Sequence, residues 1–419
     1  MIQLKPYQQR GHDELRKILQ SGSTALELSG TGFGKTYVAL SVAKSMGLRV
    51  AVVCPKIVVP VWKAVAAEAE VETAFVLNYE KIRGKKPTAA GKWAKGLRHY
   101  EWAVDKDTLL IFDECHRAKS YKTKNCKMLV SAAYYDCRKL FISATIANDP
   151  RHLQAPGSCV GLFEPKKHWN WCQSMGVYRG VFGFDYKGTK AEIKKMHDLL
   201  APFTHRERTE DIEGFPANHV EALAIETGHA KKIDKYIKKL MELKETDEEL
   251  PIVEMLRQRQ EIELLKVKSI VEMTEDLVNE QKSVVIFVNF RDTILTLVEH
   301  LNMPCVTVQG MQNDKEREEC INHFQENEAH VMIVQIQAGG VGLSLHDLHG
   351  RQRVSLICPT WSAVDLIQCL GRINRSGALS PAIQKIIFAA GSMEERVRAK
   401  VDKKVGQIDM LNDGDVGYE

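Results

Sequence analysis

One glycine-rich segment near the start of the chain, residues 29–36, has the residue types of a phosphate-binding loop. Glycines let such a loop fold back, so that its backbone N–H groups point at a chain of phosphates. The ammonium of Lys35 can then reach the outer phosphates, and the hydroxyl of Thr36 can bind Mg²⁺. The segment predicts a nucleotide site, with a glycine-rich turn that binds no ligand as the alternative. The residues assigned to it are Ser29, Gly30, Thr31, Gly32, Phe33, Gly34, Lys35 and Thr36, and Ser29 stands where the usual pattern begins with glycine.

A second set of reactive side chains is the acid pair Asp113 and Glu114, which follows the apolar run at residues 107–112. The carboxyl ends of parallel strands are where open α/β sheets place their ligand chemistry. Asp113 can hold Mg²⁺ through water, and Glu114 can orient and deprotonate an attacking water molecule. A helix N-cap is the structural alternative. Because a phosphate-binding loop precedes the pair in the chain, we favour the catalytic interpretation.

Later residues could act on the same phosphates. Arg372 and Arg375 are spaced three apart, which predicts that both lie on one side of a helix. Such a pair can neutralise γ-phosphate charge across a domain interface, an effect of about 10³–10⁵ in rate in other NTPases. An exposed charged face is the alternative. Ser143 and Thr145 follow another apolar run. They are candidate site residues because they come after the loop and the acid pair in the chain, and each of these motifs stands at the end of a predicted strand.

Two series of apolar runs must position these groups. Continuous apolar runs mark strands that are buried on both faces, as in parallel sheets. Helix-like segments separate the runs, so we predict an α/β fold with two parallel sheets. We place the hinge at residues 208–216, which gives domains 1–208 and 209–419 with a charged helical segment at about 230–280. The predicted strands are residues 24–28, 49–54, 74–77, 107–112 and 139–142 in the first series, and 283–288, 306–308, 331–336, 354–358 and 383–388 in the second.

Composition excludes several classes of protein. The 419 residues are 44% hydrophobic and 27% charged, as in ordinary globular proteins, and no apolar run is long enough to span a bilayer. The ten cysteines form no Cys-x-x-Cys pair, which argues against a structural zinc site and indicates reduced thiols of an intracellular protein. The net charge is only +4, so attraction to nucleic acid must come from local patches.

One such patch is the segment 81–98, which holds seven Lys or Arg residues, no acid and Trp93. A solvated loop is one interpretation. The other is a surface that contacts a phosphate backbone, with an aromatic ring to stack on a base or pack the loop. The segment alone leaves both open.

Taken in order, these segments resemble the motifs of superfamily 2 helicases and translocases over most of the chain. The resemblance covers motif I at 29–36, a DExH motif II at 113–116, motif III at 143–145, motif V at 337–345, motif VI at 368–375, and an adenine-reading element at 4–8 with Gln8 as its contact. Details are similar to the Swi/Snf branch, including annealing helicases: residues 113–119, 78–80, 203–212 and 359–362. Gln337 and Asn374 depart from the common residues of motifs V and VI. The compact length resembles viral or bacterial members.

The resemblance implies two RecA-like domains, with ATP and nucleic acid bound at the interdomain cleft, and ATP and Mg²⁺ as cofactors. Glu114, Asp113, Lys35, Arg372 and Arg375 would be catalytic, Thr36 and Asp113 would hold Mg²⁺, and Gln8, Gln368 and Gly342 would join the loop around the nucleotide. Nucleic acid would be contacted by Lys56, Tyr79, Lys85, Lys86, Lys92, Trp93, Arg117, Lys119, Gln337, Gly339 and Gly340. His116, Ser143 and Thr145 would couple the two ligands.

The function we expect is that of an ATP-dependent DNA helicase or translocase that unwinds or remodels branched DNA in replication, recombination or repair. Its partner would be duplex, branched or single-stranded DNA, bound by a monomer without sequence preference and away from any membrane. Three alternatives stay open: a duplex translocase or annealing enzyme without strand separation, a DExH RNA helicase, and an NTP-dependent binding switch that is not a motor.

Overall fold

The computed structural model describes residues 3–94, 99–119, 123–147, 149–180, 183–245, 252–339, 343–360, 362–392 and 394. The chain forms two compact units, and the boundary between them lies between Glu213 and Gly214. We call the residues before this boundary the N-terminal unit and the described residues after it the C-terminal unit. The predicted assignment of 1–208 and 209–419 as nucleotide-binding and C-terminal lobes stays a prediction.

The N-terminal unit contains a parallel sheet of six strands in the order β10-β1-β7-β6-β2-β3 and two small antiparallel hairpins, β4–β5 and β8–β9. Its strands are β1 (Thr24–Glu27), β2 (Arg49–Cys54), β3 (Thr73–Asn78), β4 (Gly91–Trp93), β5 (Tyr100–Trp102), β6 (Thr108–Asp113), β7 (Arg138–Ile142), β8 (Val177–Gly180), β9 (Gly183–Tyr186) and β10 (Thr204–His205). Its helices are α1 (Pro6–Ser21), α2 (Lys35–Ser45), α3 (Val59–Glu68), α4 (Tyr79–Ile82), α5 (Lys124–Ser131), α6 (Gln154–Cys159), α7 (His168–Ser174) and α8 (Lys190–Leu200).

The C-terminal unit repeats this plan with a parallel sheet in the order β11-β16-β15-β12-β14-β13. Its first strand pairs with its last over eight residues, from Asn218 opposite Ala382 to Ile225 opposite Ala389. The strands are β11 (Asn218–Ile225), β12 (Ser283–Val288), β13 (Cys305–Val308), β14 (Val331–Gln335), β15 (Arg353–Ile357) and β16 (Ala382–Ala389). The helices are α9 (Ala230–Glu245), α10 (Ile252–Leu264), α11 (Val267–Asn279), α12 (Arg291–His300), α13 (Asp314–Gln325), α14 (Ile336–Gly339) and α15 (Ala363–Leu370).

Burial explains why the central strands form where the sequence predicts them. In β2 the residues after Arg49 are all buried, and every residue of β12 is buried, as expected for parallel strands with helices on both faces. Each unit has its own apolar core, with members such as Val53 and Phe112 in one and Ile286 and Leu356 in the other. The predicted α/β class is confirmed, with one six-stranded parallel sheet in each unit.

Among the described residues, no helix combines the length and the apolar character needed to cross a bilayer.

Candidate active site

The glycine-rich segment forms the loop between β1 and α2, at the carboxyl edge of the N-terminal sheet. Gly34 has φ +90°, a left-handed conformation that favours glycine, and an added Cβ there would lie 2.3 Å from Gln8 Nε2. Lys35 is the first residue of α2, and its Nζ donates to the backbone oxygens of Ser29 and Gly30, both at 2.8 Å. The loop therefore has the turn and the lysine position that phosphate binding requires.

Gln8 lies on α1, and its side chain is hydrogen-bonded to the phosphate-binding loop. Its Nε2 donates to the Phe33 oxygen at 2.9 Å, and its Oε1 accepts from Lys5 N at 3.0 Å. The ring of Phe33 is buried, with its centroid 5.2 Å from that of Tyr7 and 5.8 Å from that of His205. Gln8 thus lies beside the loop, and its contact with adenine stays a prediction.

Contacts of Ser29 explain why a serine stands at the first position of the loop. Its backbone N donates to Glu27 Oε1 at 2.9 Å, and its hydroxyl accepts from the backbone N of Glu207 at 3.1 Å. Gly30 N donates to the Glu207 oxygen at 3.0 Å. The hydroxyl therefore ties the loop to the segment that follows β10, which a glycine could not do.

Asp113 ends β6 at the same edge of the sheet, and two aromatic side chains fix it. Trp62 Nε1 donates to Asp113 Oδ2 at 2.8 Å, and the Tyr79 hydroxyl donates to the Asp113 backbone oxygen at 2.8 Å. Burial, together with the neighbouring charge of Glu114, raises the pKa of Asp113 to about 6. A cation beside this carboxylate would relieve that cost, so the site favours a metal ion.

Glu114 adopts φ +51° and ψ +48°, the left-handed region, which is uncommon outside glycine. Its Oε2 lies 3.2 Å from His116 Nδ1, and the same ring nitrogen lies 3.1 Å from the Ser143 hydroxyl. That hydroxyl also accepts from Thr145 N at 3.1 Å. The structure thus brings the predicted coupling residues into one hydrogen-bonded chain beside the acid pair, while the coupling itself stays a prediction.

Lys35 lies close enough to the acid pair for their charges to interact. Burial lowers the pKa of Lys35, and the carboxylates of Glu27, Glu114 and Asp113 offset this only in part. The described residues contain no cluster of three or more His, Cys, Asp or Glu that could hold a metal by themselves. Mg²⁺ is usually held by one or two protein oxygens with phosphates and water, and the oxygens of Thr36 and Asp113 would be its ligands here.

The predicted helical placement of Arg372 and Arg375 is wrong. Helix α15 ends at Leu370, and Gly371 is its C-cap, so both arginines lie in the turn beyond it. They nevertheless point to one atom: Arg372 Nη1 donates to the Leu343 oxygen at 3.4 Å, and Arg375 Nη2 to the same oxygen at 2.9 Å. Gln368, on α15 itself, is buried.

The structure disagrees with the predicted nucleic-acid contacts of two residues. Tyr79 is fully buried, and its hydroxyl points inward and donates to the Asp113 backbone oxygen. Trp93 is also buried, because β4 and β5 form a hairpin in which its ring packs edge-on against Tyr100 at 5.3 Å. Both rings are covered by the protein, so the structure supports packing for them and not base stacking or DNA contact.

The other predicted nucleic-acid residues differ in how far the structure describes them. Arg117 is partly exposed, with Nη1 3.8 Å from Glu80 Oε1, and Gly339 is the last residue of α14. Gly340 lies outside the described residues, and so does Gly342, which was predicted to join the nucleotide site. The exposed members are Lys56, Lys85, Lys86, Lys92, Lys119 and Gln337.

Sequence reasoning missed Trp62, Glu27 and His205. A charged residue inside the apolar strand Thr-Ala-Leu-Glu, directly before the loop, was the one local signal for Glu27. Trp62 lies 51 positions before its partner Asp113, and Glu27 and His205 are 178 positions apart, so neither contact leaves a trace in local spacing.

Comparison with known proteins identifies relatives of this chain. Residues 265–377 match the family described as the helicase conserved C-terminal domain. A protein of Acanthamoeba polyphaga mimivirus, named "Putative ATP-dependent RNA helicase", is 31% identical over 99% of this chain and 84% of its own length. A Drosophila willistoni "DNA repair and recombination protein RAD54-like" is 29% identical over 28% of this chain, and a Mus musculus "Helicase-like transcription factor" is 31% identical over 28%. The chain covers only 15% and 12% of the lengths of these last two proteins.

A solved structure, the SWI2/SNF2 ATPase core of Sulfolobus solfataricus in complex with dsDNA, superposes with a TM-score of 0.41 at 15% identity, covering 99% of this chain and 94% of that chain. The viral relative and the matched domain define the class of the protein, which is a nucleic-acid-dependent ATPase of the helicase type. Within this class, the chain belongs to the same family as the viral helicase, and over about a quarter of its length it is also similar to RAD54-like proteins.

Proposed function

We propose that the protein is an ATP-driven motor that moves along DNA and unwinds or remodels branched DNA in replication, recombination or repair. The observation that carries the proposal is the convergence of Lys35 with Asp113 and Glu114 at the carboxyl edge of one parallel sheet, close enough for both carboxylates to act on the pKa of Lys35 and for Lys35 to act on that of Asp113. It supports the proposal because such a site needs a cation that binds phosphate beside an acid that can activate water.

In the proposed reaction, the backbone N–H groups of the loop and the ammonium of Lys35 bind the β- and γ-phosphates of ATP. The oxygens of Thr36 and Asp113 would hold Mg²⁺, which would supply positive charge to neutralise the phosphates. Glu114 orients the attacking water and accepts its proton. His116 positions Glu114 and carries the state of the site to Ser143 through the contacts described above.

We assign Arg375 and Arg372 the role of stabilising the charge that develops on the γ-phosphate. A guanidinium is always charged and forks to two oxygens, so it suits this task better than an ammonium. Both arginines donate to the same backbone oxygen of Leu343 in the motif V segment. A change in that segment would therefore change the position of both guanidinium groups.

DNA as the polymer is supported by the DNA repair names of the partial relatives, and the exposed lysines 85, 86 and 92 offer positive charge to the phosphates of a nucleic acid. The test compares stimulation of ATP hydrolysis by duplex DNA, single-stranded DNA, forked DNA and RNA of equal length. We expect the largest stimulation with DNA. Stimulation by RNA alone would replace the proposal with that of an RNA helicase, which the name of the viral relative favours.

Strand separation requires its own assay, because Swi/Snf-like motors can translocate along a duplex without opening it. A forked-duplex unwinding assay and a triplex-displacement assay on the same preparation distinguish the two activities. We expect unwinding of the fork. Displacement of a triplex strand without unwinding would show a duplex translocase, and stable ATP-bound complexes without stimulated turnover would show a binding switch.

A further inference from the structure

A buried ion pair lies directly behind the phosphate-binding loop and takes no part in the chemistry described so far. His205 Nδ1 donates to Glu27 Oε2 at 2.7 Å, and both side chains are fully buried. Glu27 is the last residue of β1, and His205 is the last residue of β10. Burying a charged pair is costly unless the geometry is good, so a core of this kind would ordinarily be apolar.

The second carboxylate oxygen of Glu27 acts on the loop itself. Oε1 accepts from the backbone N of Ser29 at 2.9 Å. The backbone oxygen of Ser29 accepts in turn from Lys35 Nζ at 2.8 Å. Glu27 therefore fixes the peptide that holds the phosphate-binding lysine. A neutral side chain would bind that peptide more weakly, because hydrogen bonds to a charged acceptor are the stronger ones, and a shorter side chain would not reach it.

His205 packs against the phosphate-binding loop and against α1, in addition to its bond with Glu27 of β1. Its ring is 5.8 Å from that of Phe33 in the loop, and a Cβ on Gly11 of α1 would lie 2.8 Å from its Cε1. Its Nε2 has no hydrogen-bond partner among the described residues and faces the carboxylates of Glu14 and Glu207, each at 3.9 Å. Although burial opposes it, the hydrogen bond and charge of Glu27 raise the pKa of His205, and His205 lowers the pKa of Glu27.

Further hydrogen bonds join residues 205–207 to residues 28–30 at the start of the phosphate-binding loop. Leu28 N donates to the His205 oxygen at 2.9 Å, and Gly30 N donates to the Glu207 oxygen at 3.0 Å. Glu207 N donates to the Ser29 hydroxyl at 3.1 Å. The same stretch leads along the chain to the boundary of the C-terminal unit after Glu213.

We propose that Glu27 and His205 are positioning residues for ATP binding: their ion pair holds the start of the phosphate-binding loop and ties its conformation to the segment 204–208 that leads into the C-terminal unit. This inference rests on the proposed role of the loop as the nucleotide site. It predicts that this segment is the first part of the chain to respond to bound nucleotide, through its hydrogen bonds with the Ser29 hydroxyl and the Gly30 peptide.

The first experiment measures affinity for a fluorescent ATP analogue, KM, kcat and the thermal midpoint for Glu27→Gln and His205→Gln. The matched control is Glu394→Gln, which breaks another buried ion pair, that of Lys266 Nζ and Glu394 Oε1 at 2.7 Å, in the C-terminal unit. We expect all three variants to lower the thermal midpoint. Only the first two should weaken ATP binding, by about tenfold or more, with kcat at saturating ATP changed much less, because lost uniform binding raises KM and not the barrier.

If Glu27→Gln and His205→Gln lower the midpoint as Glu394→Gln does but bind ATP like the wild type, the pair is structural and the inference is wrong. Should either variant fail to fold, Ser29→Ala gives the same answer, because it removes the hydroxyl that accepts from Glu207 N and leaves the ion pair in place. We expect it to weaken ATP binding by a few-fold, and wild-type affinity would contradict the inference.

A second readout is hydrogen exchange of the peptide that covers residues 203–212. Added ATP analogue should slow its exchange in the wild type and much less in Glu27→Gln, whereas equal effects would remove the proposed tie. Lys35→Ala separates this inference from the proposed function. If Lys35→Ala binds ATP normally, the loop is not the nucleotide site and both proposals fail, whereas if it loses binding and Glu27→Gln does not, only the inference fails.

Discussion

Glu114 combines a left-handed backbone with a side chain held by His116, so its carboxylate has a fixed direction. The substitution Glu114→Gln keeps the size and the hydrogen-bonding geometry but cannot accept a proton. We expect it to lower kcat by at least about 10²-fold, the scale of general base catalysis, while ATP affinity stays near the wild-type value. Single-turnover hydrolysis and equilibrium binding of labelled ATP measure the two quantities. Glu164→Gln, at an exposed carboxylate 3.0 Å from Lys167 Nζ, is the control, and normal turnover in Glu114→Gln would remove the assignment of the base.

Asp113 has an effect on stability that can be measured apart from catalysis. Its pKa, about 6 in the folded state, exceeds that of an unfolded aspartate, so the folded protein binds this proton more tightly and loses stability as pH rises toward 6. Asp113→Asn avoids that loss. In metal-free buffer at pH 7.5 we expect a thermal midpoint higher by about 2–4 °C, with little difference near pH 4. A variant that is less stable than the wild type at both pH values would contradict the role of burial here.

Substitution of Arg375 tests whether the turn after α15 takes part in ATP hydrolysis. Arg375→Ala should reduce hydrolysis by about 10³-fold or more and change ATP affinity far less, because its charge would be needed only as the phosphate charge develops. Arg375→Lys should restore little, since an ammonium lacks the forked geometry. Equal losses of affinity and of rate would show that Arg375 only binds the ground state.

At the scale of elements, the hairpin β4–β5 separates buried aromatic residues from exposed lysines. Trp93, Tyr100 and Trp102 pack inside it, while Lys85, Lys86 and Lys92 are exposed before or within β4. Changing these three lysines to Gln should weaken DNA binding and reduce the slope of log K against log salt by as much as about 2.7, if each contacts one phosphate. The control is the triple Gln variant of Lys17, Lys268 and Lys315, which are also exposed. An unchanged slope would assign the segment to a solvated surface.

The elements that the sequence predicts well are those whose two faces are both buried. The apolar runs of β2, β6 and β12 are continuous, so their strand character follows from composition alone. Strand β11 could not be found this way. It forms one edge of its sheet, most of its residues are partly or fully exposed, and its sequence, Asn-His-Val-Glu-Ala-Leu-Ala-Ile, has no uninterrupted apolar run of the same kind.

The candidate site was predictable to the extent that its residues are adjacent in sequence. The loop at 29–36 and the pair Asp113–Glu114 were found because each motif is local. The arginines were placed on the wrong element, because spacing does not show that a helix stops at Gly371. The support of the loop by Glu27 and His205 depends on strands that are distant in sequence and come together only in the folded sheet.

At the scale of the whole molecule, each unit has its own parallel sheet and its own apolar core, so we expect two unfolding transitions in calorimetry. Glu27→Gln should lower the midpoint of one transition and Glu394→Gln that of the other. Each shift should be about 10 °C, since breaking a buried pair costs about 3–5 kcal/mol. A single transition that both variants lower would show that the units unfold together.

The pairing of the first strand of each sheet with its last also sets an order of events on the ribosome. The N-terminal sheet is complete once β10, ending at His205, has been synthesised, because β10 pairs with β1. The C-terminal sheet has to wait for β16, which begins at Ala382, before β11 has a neighbour. At ordinary rates of translation this interval lasts roughly 10–35 s, and for most of it the edge of β11 lacks the strand that later joins it. Nascent chains stalled before residue 382 should therefore expose a folded first half and a chaperone-sensitive second half.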